Sequence, residues 1–171
     1  MNPDPTPSHS SDDTGPGGYG ITWGVRGSFI AYIQGLGDGS IRFSDGANFD
    51  SNGAIHFPFA ALSAGERNNE RWIRCSGGVL FQGHFGMLSV PLLNLAIRVT
   101  EDGATLCAEQ ESGSYFPIGE VDLANPEVSD AGVLWRDAAV TLNEPGSRFF
   151  GSNYSEGTVM DPLCIRVPPF Q

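Results

Sequence analysis

The sequence predicts a mainly β protein: an antiparallel β-sandwich or flattened barrel with one or two short helices. Three observations point there. The 171 residues include 23 glycines and 12 prolines while only 17 % are charged, the weakly charged, turn-rich profile of many short strands. Short runs of alternating apolar and polar residues recur along most of the chain, separated by turn signals. One stretch alone, near the start, spaces its apolar residues at a helical interval. No period of about 20 to 50 residues repeats, which excludes a solenoid.

Residues 1–18, rich in Pro, Ser, Asp and Gly, have little to bury and are expected to form a tail, His9 included. Residues 19–171 are expected to form a single domain, long enough for a real core without metal or disulfide staples. The helix is expected over residues 22–35. Thr22 is its N-cap, and Gly35 and Gly37 supply the left-handed stop. At about 100° per residue, Val25, Ser28, Phe29 and Tyr32 share one face, with Trp23 and Ile30 nearly opposite. A short helix apolar on two sides is normally covered on both, by a sheet and by a further apolar partner. Tyr32 then either points its phenol at that partner or is a core tyrosine bonded to backbone.

Residues 39–44 alternate as a strand and turn at Asp45-Gly46. Residues 54–59 form the next strand, with Pro58 placing it at an edge or an end and His56 facing solvent. A charged loop, 64–70, leads into the long apolar runs 71–82 and 87–100, the second broken by Pro91. Between them, Gly83-His84-Phe85-Gly86 is a tight bend with His84 at its tip, where flanking glycines permit close approach of a bulky partner. His84 alone is equally well an ordinary turn histidine. Beyond the turn at 101–103 come strands at 104–109 and 118–123, a strand or pair over 133–142, and an aromatic-rich loop from 148 running into a last strand through Val167.

The net charge is −11, from 20 acidic and 9 basic residues, which disfavours nucleic acid and anionic membrane surfaces as partners. No run reaches the roughly 18 to 20 apolar residues of a membrane-crossing helix. No secretory signal pattern stands at the start either, which leaves export open. Cys75, Cys107 and Cys164 have no C-x-x-C spacing, so a zinc or thiol-redox motif is not expected. One disulfide with a free thiol, or three buried thiols, both satisfy the count. No Gly-x-Ser-x-Gly elbow is present and no nucleophile neighbours His84 in sequence, so a hydrolase has little behind it. An extracellular adhesion or carbohydrate-binding module is the alternative, and it requires exposed Trp72 or Trp135 as a platform.

Three stretches together narrow this further. Trp23-Gly24-Val25-Arg26-Gly27-Ser28-Phe29-Ile30-Ala31-Tyr32-Ile33 resembles the opening motif of the HtaA-type heme-binding domains of bacterial hemin-uptake proteins. Phe81-Gln82-Gly83-His84-Phe85-Gly86-Met87-Leu88 resembles that family's central Phe-x-Gly-His-x-Gly-x-Leu. Tyr154-Ser155-Glu156-Gly157-Thr158, leading to Asp161-Pro162-Leu163, resembles its C-terminal tyrosine motif. The likeness spans residues 20–167 in the family's order, with Asn153 and the three cysteines departing from its pattern. It implies a mostly β fold that binds one heme b (ferric protoporphyrin IX), with Tyr32 as axial ligand, His84 as the histidine supporting it, and Tyr154 as a third binding residue. Val25, Phe29, Phe85, Met87 and Phe150 are then expected to offer apolar contacts to the porphyrin, and Ser28 a bond to a propionate. The resemblance further implies a secreted or cell-surface, non-catalytic protein in iron acquisition. It would exchange heme with host hemoproteins or another carrier, as a monomer or heme-linked dimer. The chemistry agrees: phenolate is a hard anionic donor suited to ferric iron, and a neutral imidazole N–H bonded to the phenolate oxygen would favour the ligating form, the alternative for His84 being direct ligation from the opposite face.

Overall fold

The computed structural model describes residues 18–169, so the expected tail lies, apart from Gly18, outside the described residues. In chain order the elements are β1 (Gly20–Trp23), α1 (Gly27–Gly35), β2 (Ser40–Ser44), β3 (Asn48–Phe49), β4 (Ile55–Ala64), β5 (Arg71–Cys75) and β6 (Gly78–Gly83). A 3₁₀ turn (His84–Gly86) follows, then β7 (Leu88–Leu93), β8 (Ala96–Thr100), β9 (Gly103–Glu109), β10 (Tyr115–Val121), β11 (Glu127–Ser129), β12 (Gly132–Leu142), α2 (Glu144–Phe149) and β13 (Val159–Val167).

Eight strands close into an antiparallel barrel in the order β1-β13-β12-β10-β9-β8-β5-β4, with β4 returning to β1. β1 makes the closure. Its Ile21 pairs with Ile165 of β13 on one side and Phe57 of β4 on the other. The inward positions, among them Ile21, Trp23, Phe57, Leu106, Val140 and Ile165, are fully buried. Alternation alone permits a sandwich or a barrel; the two-sided pairing of β1 makes it a barrel, without open edges around the ring. Among the described residues no helix is long and apolar enough to cross a membrane.

A second sheet, β2-β6-β7, stands apart from the barrel. The β6–β7 hairpin leaves from the Cys75 end of β5 and returns at Ala96 of β8, close to where α1 leaves β1. α1 lies on this sheet, with the Phe29 ring edge-on to Phe81 at 5.1 Å. The helix and the three-stranded sheet therefore sit together at one end of the barrel.

Several local expectations are corrected. The helix starts at Gly27 with Arg26 as N-cap, not at Thr22. Thr22 and Trp23 belong to β1, because the Trp23 indole is wholly buried and donates to the Asp161 carbonyl at 2.7 Å. The Thr22 hydroxyl bonds His56 Nδ1 at 2.9 Å instead of a helix amide. His56 is accordingly half-buried rather than solvent-facing, and burial foremost pushes its pKa down. The helix ends at an extended Leu36 (φ −74°, ψ 138°), not at a left-handed glycine. Pro91 does not break its run. It lies inside β7, the open edge of the second sheet, where a missing N–H breaks no ladder, and the break falls at Asn94 (φ 45°). Pro58 lies within β4, paired with Gly20, just before the register shift at Phe59/Ala61 where β4 passes over to β5. Residues 133–142 belong to one strand, β12. Helix α2, unanticipated at this position, is nucleated by Asn143, whose side chain accepts from the Gly146 amide at 2.7 Å with a proline in the first turn. All three cysteines are free thiols.

Candidate functional site

Tyr32 sits in the last two turns of α1 and His84 opens the 3₁₀ turn between β6 and β7. The fold brings these residues, 52 positions apart, into a hydrogen bond between Tyr32 Oη and His84 Nε2. Their ring centroids are 5.8 Å apart with planes inclined by 46°. Both side chains reach the surface, Tyr32 being 48 % exposed. The core-tyrosine alternative is therefore not the one realised.

The turn is built to present the histidine. His84 (φ 49°), Phe85 (φ 56°) and Gly86 (φ 87°) are all left-handed in succession, a course that folds the backbone tightly and that non-glycine residues rarely take. The Met87 amide closes it onto the His84 carbonyl at 3.1 Å. Gly83 lets α1 come close, since a Cβ there would stand 2.6 Å from Leu36 Cδ1. From the α1–β2 connection, Asp38 Oδ2 accepts the Phe85 amide at 2.5 Å. That Phe85 bond, ahead of a smaller opposing desolvation, holds the Asp38 carboxyl below its ordinary pKa; the backbone amides of Asp38 and His84 add to it. Sequence reading passed over Asp38, whose only signal is a lone acid in Gly37-Asp38-Gly39.

The apolar residues expected beside this pair divide sharply. Phe85 and Met87 are 96 % and 90 % exposed, a large apolar surface next to Tyr32 and His84. Val25 and Phe150 are fully buried, and Phe29 nearly so. These three are corrected to core residues: a φ of 58° turns the chain at Val25, and Phe29 packs edge-on against Phe81 and Phe150. Ser28 is exposed, one turn before Tyr32. Tyr154 is half-buried and does not join the pair. Its ring packs edge-on to Phe29 at 6.4 Å and Phe150 at 6.3 Å, and the Arg26 guanidinium lies 5.1 Å over it.

A second polar cluster, also passed over by sequence reading, lies on the outer barrel face. Glu70, buried, accepts from the Trp72 indole at 2.8 Å and from Arg98 at 3.1 Å. The Arg74 guanidinium lies 5.0 Å from the Trp72 ring and 4.9 Å from Tyr115. The Trp135 indole donates to the Leu123 carbonyl at 2.9 Å. Trp72 and Trp135 are thus half-buried, each with its indole N–H bonded within the protein. Among the described residues no three His, Cys, Asp or Glu side chains gather as a metal-binding cluster.

The chain has clear relatives of known structure. The C-terminal domain of HtaA from Corynebacterium glutamicum is 27 % identical, with a TM-score of 0.67 over 84 % of this chain and 92 % of that one. The N-terminal domain of the same protein, 22 % identical, has a TM-score of 0.67 over 86 % of this chain and 95 % of its own. The heme binding protein HtaB from that organism, 17 % identical, has a TM-score of 0.65 over 86 % and 91 %. The last two are likenesses of fold alone. No curated protein matches the chain. The family model of HtaA matches residues 18–166, a stretch that runs from β1 into β13 and contains both halves of the Tyr32–His84 pair; the chain belongs to the HtaA family.

Proposed function

We propose that this protein binds ferric heme b at the exposed Tyr32–His84 pair and hands it on in iron acquisition. The observation that carries the reading is an accessible phenol, bonded to an imidazole, beside the almost fully exposed Phe85 and Met87. Large apolar side chains left in water next to a polar pair mark a ligand or partner surface. The heme-binding function named for HtaB, a protein of the same fold, agrees with it.

The donor set suits this cargo. Tyr32 Oη would ligate the iron as phenolate, an anionic oxygen donor that favours the ferric state. His84 Nε2–H would donate to that oxygen, keeping it aimed and its charge stabilised. Phe85 and Met87 would cover apolar parts of the porphyrin, and the Ser28 hydroxyl would bond a propionate. Phe29 and Tyr154 support α1 from the core side rather than touching the ligand. A single protein ligand on the surface suits capture and release, and no acid–base set beyond the pair is assigned to turnover. Host hemoproteins or another heme carrier are the proposed exchange partners, at the cell surface or outside the cell. The carbohydrate-platform alternative called for an exposed Trp72 or Trp135, and both are half-buried with the indole N–H bonded within the protein.

A hemin titration followed by absorbance tests the reading on the wild type and on Tyr32→Ala, with folding checked by circular dichroism. The expected result is a saturating one-to-one spectrum of tyrosine-ligated ferric type that the folded variant loses. Equal binding by Tyr32→Ala would sink the ligand assignment, and absence of any specific spectrum in the wild type would sink the function.

A further inference from the structure

Three contacts tie α1 and its following turn to the end of β6 and the bend after it: Tyr32 with His84, Leu36 against Gly83, and Asp38 with Phe85. We propose that Asp38 is a positioning residue of the heme site, holding the turn in the conformation that delivers His84 to Tyr32. This rests on the reading of Tyr32 as ligand.

The bend has little else to hold it. His84 and Phe85 both take left-handed backbone angles that L-residues avoid. The Phe85 side chain, 96 % exposed, contributes almost no packing that could offset the strain. Beyond the Gly83–Leu88 pair at the base of the hairpin and the Tyr32–His84 bond itself, two hydrogen bonds remain: the local Met87 amide to the His84 carbonyl, and the Asp38 carboxylate on the Phe85 amide. The first only closes the turn on itself. The second reaches across to the α1–β2 connection, so it alone of the two fixes where the turn lies relative to the helix that carries Tyr32. A carboxylate accepting a backbone N–H is also stronger than a neutral acceptor in the same place. The carboxylate need not touch heme to matter. It acts through His84, as groups beyond the ligands commonly do when they orient them.

The test compares wild type, Asp38→Ala, Asp38→Asn, His84→Ala and the Asp38→Ala/His84→Ala double variant. Transfer of bound hemin to excess apomyoglobin is timed for each. Asp38→Ala should release hemin about tenfold faster than wild type, and Asp38→Asn, whose amide oxygen still accepts the Phe85 N–H but without the charge, should fall between the two. In the His84→Ala background the Asp38→Ala change should add nothing, because its route is gone. A wild-type rate for Asp38→Ala, or the same acceleration with and without His84, overturns the proposal.

A second arm uses the heme-free protein and NMR. The Phe85 amide should be protected from exchange in the wild type and lose protection in Asp38→Ala, while the His84 ring signals move toward those of Tyr32→Phe. Unchanged His84 signals overturn the proposal whatever hemin does. Should Asp38→Ala not fold, rapid exchange at Phe85 in the wild type would overturn it. Failure of the ligand reading is separate, since it appears as unaltered hemin binding in Tyr32→Ala.

Discussion

The three thiols differ in what surrounds them, and that difference sets their chemistry. Burial foremost pushes the Cys75 and Cys107 thiols up to about 12, and it raises Cys164, which is half-buried, as well. The thiolate is the reactive form, so a raised pKa means less of it at any given pH and slower alkylation. Under mildly alkaline conditions iodoacetamide should therefore label Cys164 ahead of Cys75 and Cys107 in the folded protein. All three should label once it is denatured, with intact mass as the readout. Labelling of Cys75 or Cys107 as fast as Cys164 would contradict the burial described. The spacing of these residues left a disulfide possible, since pairing depends on where strands 32 and 57 residues apart in sequence are placed by the barrel.

Between elements, Glu70 shows how one polar side chain can join neighbouring strands. It lies just before β5, receives Arg98 from β8 and the Trp72 indole from β5, and is buried on the barrel's outer face. The Arg98 bond foremost, against an opposing desolvation and with Trp72 adding, holds the Glu70 carboxyl below its ordinary value. A carboxyl depressed in the folded state binds its proton more readily when unfolded. Its contribution to stability is thus present above the ordinary glutamate value and fades as pH falls through the folded one. Glu70→Gln should lower the melting temperature near neutral pH, and the gap to wild type should narrow in acid below the ordinary glutamate value. A gap that stays constant with pH would refute the ionic contribution. Sequence reading placed residues 64–70 in a charged loop and had no way to single out Glu70, because its partner Arg98 is brought beside it only by the β5–β8 pairing.

At the scale of the molecule, closure depends on β1 fitting between β4 and β13. Gly20 is the tight point: its φ is +138°, and a Cβ there would stand 2.0 Å from the Phe57 carbonyl oxygen. Gly20→Ala should cost about 1–3 kcal/mol or more through overpacking, on top of the backbone strain. A urea midpoint well below wild type with an unchanged slope would show it. A midpoint equal to wild type would mean that β1 does not close the ring as described. Because α1, which carries Tyr32, leaves β1 from its Trp23 end, away from Gly20, hemin binding by whatever fraction of Gly20→Ala remains folded should be retained.

By itself the sequence determined the class of fold and the bend that presents His84, while the two residues that meet were pointed to by the family resemblance of the motifs around them. Alternation of period two marks strands wherever they pair, Gly-His-Phe-Gly is a local turn, and the motifs around Tyr32 and His84 are contiguous. What only the tertiary structure decided depends on partners distant in the chain. Sandwich and barrel share one alternation pattern, and the double pairing of β1, with residues 55–58 and 163–166, separates them. Thr22 has the local chemistry of an N-cap, yet burial of the neighbouring Trp23 in the barrel draws both residues into a strand, tertiary packing overriding a weak local preference. Val25 and Phe29 lie in the same motif as Tyr32, but Val25 falls before the helix, where the chain turns (φ 58°), and which side of the short helix faces inward at Phe29 is set by the sheet it lands on. Asp38 was illegible for the same reason: an exposed acid between glycines acquires a role only when the fold sets the Phe85 amide beside it.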